Sequence, residues 1–251
     1  MPKHLLCFAL TVGSLLAGSR ASAAPQLTLW WYGQSFFVLE TSKSTRIAFD
    51  PHAIEAFGRH EVTADLVLMS HLHNDHTQIG VITNGAKAKA VQGLRVKGKT
   101  TEWVPADFTF KDVHVRTVGT YHDNVEGMER GKNTVFIVDV DGLHIVHLGD
   151  LGHVLTPKDV QKIGPVDVLL IPIGGVYTIN GSEAKKVVEQ LKPRLFIVPM
   201  HYGMKGYDDL LPADEFLEDQ PKVRRAEDNK LVIDPAAKPA APTVVILNAK
   251  S

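Results

Sequence analysis

The chain of 251 residues has one cysteine, three tryptophans and no excess of either charge, since 27 basic and 28 acidic side chains leave −1 with the histidines neutral. Each shortage excludes something. Near-neutral charge, with a sequence pI near 6.9, lacks the electrostatic footprint of a nucleic-acid or anionic-membrane binder. The single thiol, Cys7, lies in an N-terminal leader, so a mature chain has no disulfide, no cysteine nucleophile and no thiolate metal ligand. The leader's apolar run, Leu5 to Leu16, is interrupted by Thr11, Gly13 and Ser14 and falls short of the roughly 20 residues of a membrane span. No repeat of fixed period is present. What remains, 44% hydrophobic and 22% charged residues with 20 Gly and 14 Pro, is ordinary globular composition. One residue type stands out: there are twelve histidines.

Lys3 and His4 precede the leader's apolar run, and Ala21-Ser22-Ala23 closes it. This is the pattern of a secretory signal peptide over residues 1 to 23, leaving a single domain over residues 24 to 251 in the periplasm or outside the cell. Cleavage removes Lys3 and Arg20 but no acid, which leaves 25 basic against 28 acidic residues, or −3. Cys7 is too far from the cleavage point to carry a lipid, so no stable membrane anchor is expected after processing.

Runs rich in β-branched and aromatic residues predict strands over Leu27 to Trp31, Phe36 to Glu40, Arg46 to Asp50, Leu66 to Ser70, Val113 to Val118, Thr134 to Val140, Leu143 to Leu148, Val168 to Ile171, Leu195 to Pro199 and Val244 to Leu247. Asp141-Gly142 marks a hairpin between two of them. The best helical pattern is Ser182 to Leu191, with Asn180 as cap and Glu183 three residues on. Weaker patterns cover Thr77 to Ile82, Lys158 to Ile163 and Ala213 to Glu218.

The strongest chemical signal is His71-Leu72-His73-Asn74-Asp75-His76, directly after an apolar strand. In an extended segment His71 and His73 point the same way, while Asp75 and His76 begin the next turn and can face a second ion. Four residues do not complete two ion sites. Three further segments place a polar side chain at a strand end: Tyr121-His122-Asp123, His147-Leu148-Gly149-Asp150 and Met200-His201-Tyr202.

These motifs, in this order, resemble the metallo-β-lactamase-fold hydrolases over about Leu27 to Gly203. More narrowly, HLGDLGH (147 to 153), VDVLLIPIGGVYT (166 to 178) and VPMHYG (198 to 203) look like the branch of the UPF0173-type hydrolases and the ascorbate-phosphate lactonase. The resemblance implies an α/β fold, a four-layer αββα sandwich with the site at one edge between two sheets. It also implies ligand roles: His71, His73 and His122 on one metal, Asp75, His76 and His201 on the other, and Asp150 bridging both. Gln34 stands where many relatives have histidine, which bears on a contact beside the ligands rather than on a ligand.

Nitrogen and carboxylate donors suit two divalent ions, Zn²⁺ first, with Mn²⁺ or Fe²⁺ compatible. The expected mechanism has a bridging hydroxide attacking a small ester or lactone, with Asp75 and Asp150 as the catalytic carboxylates. The alternatives are phosphodiester hydrolysis, or a periplasmic metal-binding protein without turnover. The missing thiol argues against thiolate β-lactamases, and the expected partner is a small molecule rather than nucleic acid. Tyr121, Tyr177 and Tyr202 flank the ligands and either contact substrate or pack at the rim. His52 and His153 are candidates for orienting ligands, His147 reads as a hydrogen-bonded core residue, and His60, His114 and His144 read as structural or surface residues.

Overall fold

A computed structural model describes Met1, residues 26 to 204 and residues 207 to 249. The leader lies outside the described residues, and among those described no helix is long and apolar enough to cross a membrane. The chain begins with β1 (Leu27–Trp31), β2 (Phe37–Glu40), β3 (Arg46–Phe49), β4 (Leu66–Met69) and β5 (Lys89–Gln92). A hairpin of β6 (Leu94–Lys97) and β7 (Thr100–Trp103) follows. Next come β8 (Asp107–Phe110), β9 (Val113–Tyr121), β10 (Lys132–Val140) and β11 (Leu143–His147). Helix and strand then alternate through α1 (Pro157–Ile163), β12 (Val168–Pro172), α2 (Gly181–Leu191), β13 (Phe196–Met200) and α3 (Asp214–Leu217). Three strands close the chain: β14 (Val223–Arg225), β15 (Lys230–Ile233) and β16 (Thr243–Ile246).

Two mixed sheets face each other. The first has the order β15-β1-β2-β3-β4-β5, the second β14-β16-β13-β12-β11-β10-β9-β8. The two-residue period of a strand explains how the sandwich is cemented. In the first sheet Phe37, Leu39, Ile47, Phe49, Leu66 and Leu68 enter the main core shared with the second sheet, while the alternate residues Val38, Ala48, Val67 and Met69 enter a separate cluster on the other face. Runs apolar at every position, such as Leu66-Val67-Leu68-Met69, are therefore buried on both sides. At one edge the ammonium of Lys89 in β5 sits 3.8 Å over the ring of Phe108 in β8, bridging the sheets by a cation–π contact.

The four-layer expectation holds with a difference on one side. The second sheet carries α1, tied by Arg116 to the carbonyls of Lys162 and Ile163, and α2, which buries Ala184, Val187 and Leu191. The outer face of the first sheet is covered instead by the segment between β3 and β5, through Val62, Ala64, Val81 and Ile82. The helix expected over Thr77 to Ile82 is only a 3₁₀ turn, Ile79–Val81. Gly80 and the β-branched Ile79, Val81 and Ile82 lower helix propensity there. The best helix forms as expected, with the Asn180 side chain accepting from the Glu183 N–H and the Glu183 carboxylate returning the bond.

Candidate metal centre

Every strand that delivers a candidate ligand ends at the same edge of the sandwich, and several turn there through left-handed backbone. Gln34, Asp50 and His201 have φ of 47°, 44° and 50°, and Gly149 has 56°. Outside glycine such conformations cost on the order of 1–2 kcal/mol each, a strain concentrated where the chain must reverse to aim a side chain. Gly149 is required sterically as well, because a Cβ there would lie 2.4 Å from the Asn133 amide oxygen.

After β4, His71 follows Ser70, and the single 3₁₀ turn Asn74–His76 swings Asp75 and His76 back toward the strand end. His122 follows β9, Asp150 lies just past β11, and His201 is the first residue after β13. Potential ligand atoms of His71, His73 and His122 fall within 4.8 Å of one another, as do those of His76, Asp150 and His201. One atom joins the two groups. Asp150 Oδ2 lies 3.1 Å from Nε2 of His201, 3.2 Å from His76, 3.3 Å from His122 and 3.8 Å from His71. Asp75 approaches His76 Nε2 at 3.4 Å. The structure thus brings together all seven residues.

The rings are aimed by bonds on their far nitrogens. His76 Nδ1 meets Asp50 Oδ2 at 3.0 Å, His71 Nδ1 meets the Ser70 hydroxyl at 2.9 Å, and His122 Nδ1 donates to the Tyr177 carbonyl at 3.1 Å. In each case Nε2 is left facing the centre, the arrangement that fixes tautomer and orientation in metal-binding histidines. Asp50 serves two of them, since it also accepts from the Ser70 N–H and hydroxyl. Asp150 is held by Ser35 Oγ on Oδ1 and by Asn133 on its backbone N–H. Gln34 donates its side-chain amide to Asp75 Oδ2 at 3.1 Å, and its backbone carbonyl accepts from the His201 backbone N–H.

The charge pattern fits a cation. Burial pushes Asp150 up, but His201, His76 and His122 outweigh it and hold the carboxyl well below the usual range. Burial likewise opposes ionisation of Asp75, yet His76 and Gln34 keep it low. Burial and the neighbouring His76 drive His71 well below the ordinary imidazole value, while for His76 the Asp150, Asp50 and Asp75 carboxylates overcome burial and raise it. His76 Nε2, which faces the Asp150 carboxylate, is buried without a hydrogen-bond partner. Such an orphaned polar atom is rare, and imidazole nitrogens converging on carboxylate oxygens, with no thiolate, fit borderline divalent metals.

A cavity of about 360 Å³ opens onto these residues, lined also by Gln34, Arg130, Tyr177 and Tyr207. Among the tyrosines singled out in the sequence only Tyr177 reaches it. Tyr121 packs on Trp103, and Tyr202 is buried against Trp31 at 5.4 Å. Tyr207 was not anticipated, and no local motif marks it.

His52 and His153 touch backbone rather than ligand rings: His52 bonds the Gly33 carbonyl, and His153 accepts from the Tyr121 N–H. The orienting groups are Asp50, Ser70 and the Tyr177 carbonyl. Asp50 reaches Ser70 because β3 pairs parallel with β4 and sets Phe49 beside Leu68, a register that the sequence does not display. His147 is a buried structural residue bonded to the Ser35 carbonyl and stacked on Phe49. His144 and His114 both pair with Asp139, and His60 bonds the Phe57 carbonyl.

Comparison with known proteins finds relatives along most of the chain. The family profile described as "Beta-lactamase superfamily domain" matches residues 28 to 201, a span that includes all seven. A UPF0173 metal-dependent hydrolase of Thermococcus kodakarensis is 34% identical over 189 residues, covering 68% of this chain and 82% of the relative. One from Pyrococcus abyssi is 36% identical over the same shares. A solved Thermotoga maritima protein, a proposed Zn-dependent hydrolase of the metallo-β-lactamase superfamily, superposes with a TM-score of 0.66 at 37% identity, covering 88% of this chain and 98% of its own.

Proposed function

This chain belongs to the β-lactamase superfamily, among relatives of the UPF0173 metal-dependent hydrolases, and from that premise we propose that it is an exported dinuclear hydrolase of small esters or lactones. The observation that carries the reading is Asp150 Oδ2, a single oxygen within 3.8 Å of four imidazole nitrogens. His71, His73 and His122 would hold one ion, and Asp75, His76 and His201 the other, with Asp150 shared and Zn²⁺ the best match to the donors. Bound ions of this kind acidify a water and polarise the oxygen of the attacked carbonyl.

The side chains supply the rest. Asp75, kept ionised beside His76 and steadied by Gln34, accepts the proton shed by the attacking water. Burial, reinforced by Asp75, Asp209 and Asp150, pushes the Tyr207 phenol up to about 12. It therefore remains an O–H donor for the oxyanion or the leaving group. The cavity admits a small molecule, and the near-neutral surface charge favours an ester or lactone over a polynucleotide.

A panel of lactones, aryl esters and phosphodiesters, assayed with metal-loaded protein and with Asp75→Ala, tests this. Loss of about 10²-fold or more in the variant is expected. Undiminished turnover by Asp75→Ala would overturn the mechanism, and a panel without any turnover would leave a metal-binding protein. For the export reading, intact mass of protein from an exporting host should begin near Ala24.

A further inference from the structure

The site described so far accounts for the reacting bond but not for the part of the substrate that does not react. Among the described residues lining the cavity, Arg130 is the one lysine or arginine. It stands on the loop that leaves His122, and that loop is built around a single carboxylate. Asp123, 3% exposed, accepts N–H bonds from Val125, Gly127, Glu129 and Arg130 at 2.9, 2.7, 3.0 and 2.7 Å. The position of Arg130 is thus tied to a ligand's immediate neighbour. Its guanidinium lies 5.7 Å from the Tyr177 ring centroid, and Tyr177 in turn holds His122 through its carbonyl. Both walls of the mouth are thereby fixed to the same histidine.

The partner Arg130 has at present is weak. Glu129, its sequence neighbour, is 62% exposed and touches it at 3.2 Å, a surface pair worth little and readily exchanged. A guanidinium offers a planar fork that carboxylates and phosphates match with two bonds. A cavity of about 360 Å³ is small enough for one compact molecule to reach both the metal ligands and the mouth.

Resting on the hydrolase reading above, we propose that Arg130 is a specificity residue that pairs with an anionic oxygen group of the substrate, a carboxylate or a phosphate, so that the site selects charged esters or lactones over neutral ones. Three aryl esters that share one leaving group test this, with an acyl chain ending in a methyl, a carboxylate or a phosphate. They are assayed with metal-loaded wild type, Arg130→Gln and Arg130→Lys. The ratio of kcat/KM for the better charged ester to that for the neutral one should fall about tenfold or more in Arg130→Gln. The loss should enter through KM and be partly restored in Arg130→Lys. Whichever charged ester is preferred identifies the anion. An unchanged ratio would overturn the proposal. Should no ester turn over, calorimetry with succinate and with inorganic phosphate keeps the two readings apart. Binding weakened by Arg130→Gln would support the anion site while the hydrolase reading fell, and binding indifferent to Arg130 would overturn the anion site as well.

Discussion

Replacing Asp150 by alanine removes an oxygen lying between 3.1 and 3.8 Å from four imidazole nitrogens, so both proposed ion positions lose a donor in one step. Elemental analysis of Asp150→Ala should show metal content falling toward zero, whereas His122→Ala and His201→Ala should each retain close to half the wild-type content. Asp123 acts on a different property. Burial pushes its carboxyl up, but the N–H bonds from Arg130, Gly127, Val125 and Glu129 prevail and hold it below the ordinary 3.8. A carboxyl with a depressed folded pKa contributes stability that is fully present above the unfolded value and is lost as pH falls through the folded one. Asp123→Asn should therefore melt below wild type at neutral pH, with the gap narrowing below about pH 4. Hydrogen exchange should place the neutral-pH difference in residues 123 to 131. A gap that persists undiminished at acid pH would contradict the assignment to charge. The ligands were legible because histidine and aspartate at strand ends are chemically restricted. Asp50 and Ser70 were not, because nothing in their local sequence distinguishes a carboxylate that holds a histidine from one that faces water.

At the scale of elements, legibility tracked burial. The ten strands expected from the sequence all form, because their apolar runs are buried on one or both faces. β5 to β8, β14 and β15 were missed. Lys89-Ala90-Val91-Gln92 and Leu94-Arg95-Val96-Lys97 are largely exposed, and their extended form comes from pairing with a neighbour rather than from a hydrophobic period. The start of α2 was legible because a side chain caps it. α1 has its own capping box, in which Thr156 and Asp159 exchange bonds. α2 allows a measurement: Asn180→Ala should cost about 1 kcal/mol, or roughly 2–4 °C in Tm for a domain of this size. Ser182→Ala, which removes a hydroxyl that bonds Glu215 and the cap itself, should cost less. Equal losses would mean that the cap is not what holds the start of α2.

For the whole molecule, the decisive feature is where the last strands go. β15 returns to the outer side of β1 in the first sheet, with Leu29 facing Leu231, while β16 inserts between β13 and β14 in the second. A chain ending at residue 222 would lack all three. It would leave β1 and β13 as unprotected edges, which invite intermolecular pairing. Such a truncation should lose cooperative unfolding and aggregate, as light scattering and a thermal scan would show; a soluble, cooperatively melting fragment would contradict this. Sequence patterns placed β16 but not β14 or β15, since register across some 200 residues is a property of the closed sandwich. The same topology acts during biosynthesis. A ribosome delivers residue 27 long before residue 233, so the earliest strand waits for almost the entire chain before its outer partner exists. Under the exported reading, that interval is useful. A polypeptide unable to complete either sheet while its C-terminal strands are still unmade stays loose enough to be threaded through a translocation pore. On that reading the proposed metal ligands would converge only after the chain had crossed, and the ions they gathered would be those of the outer compartment.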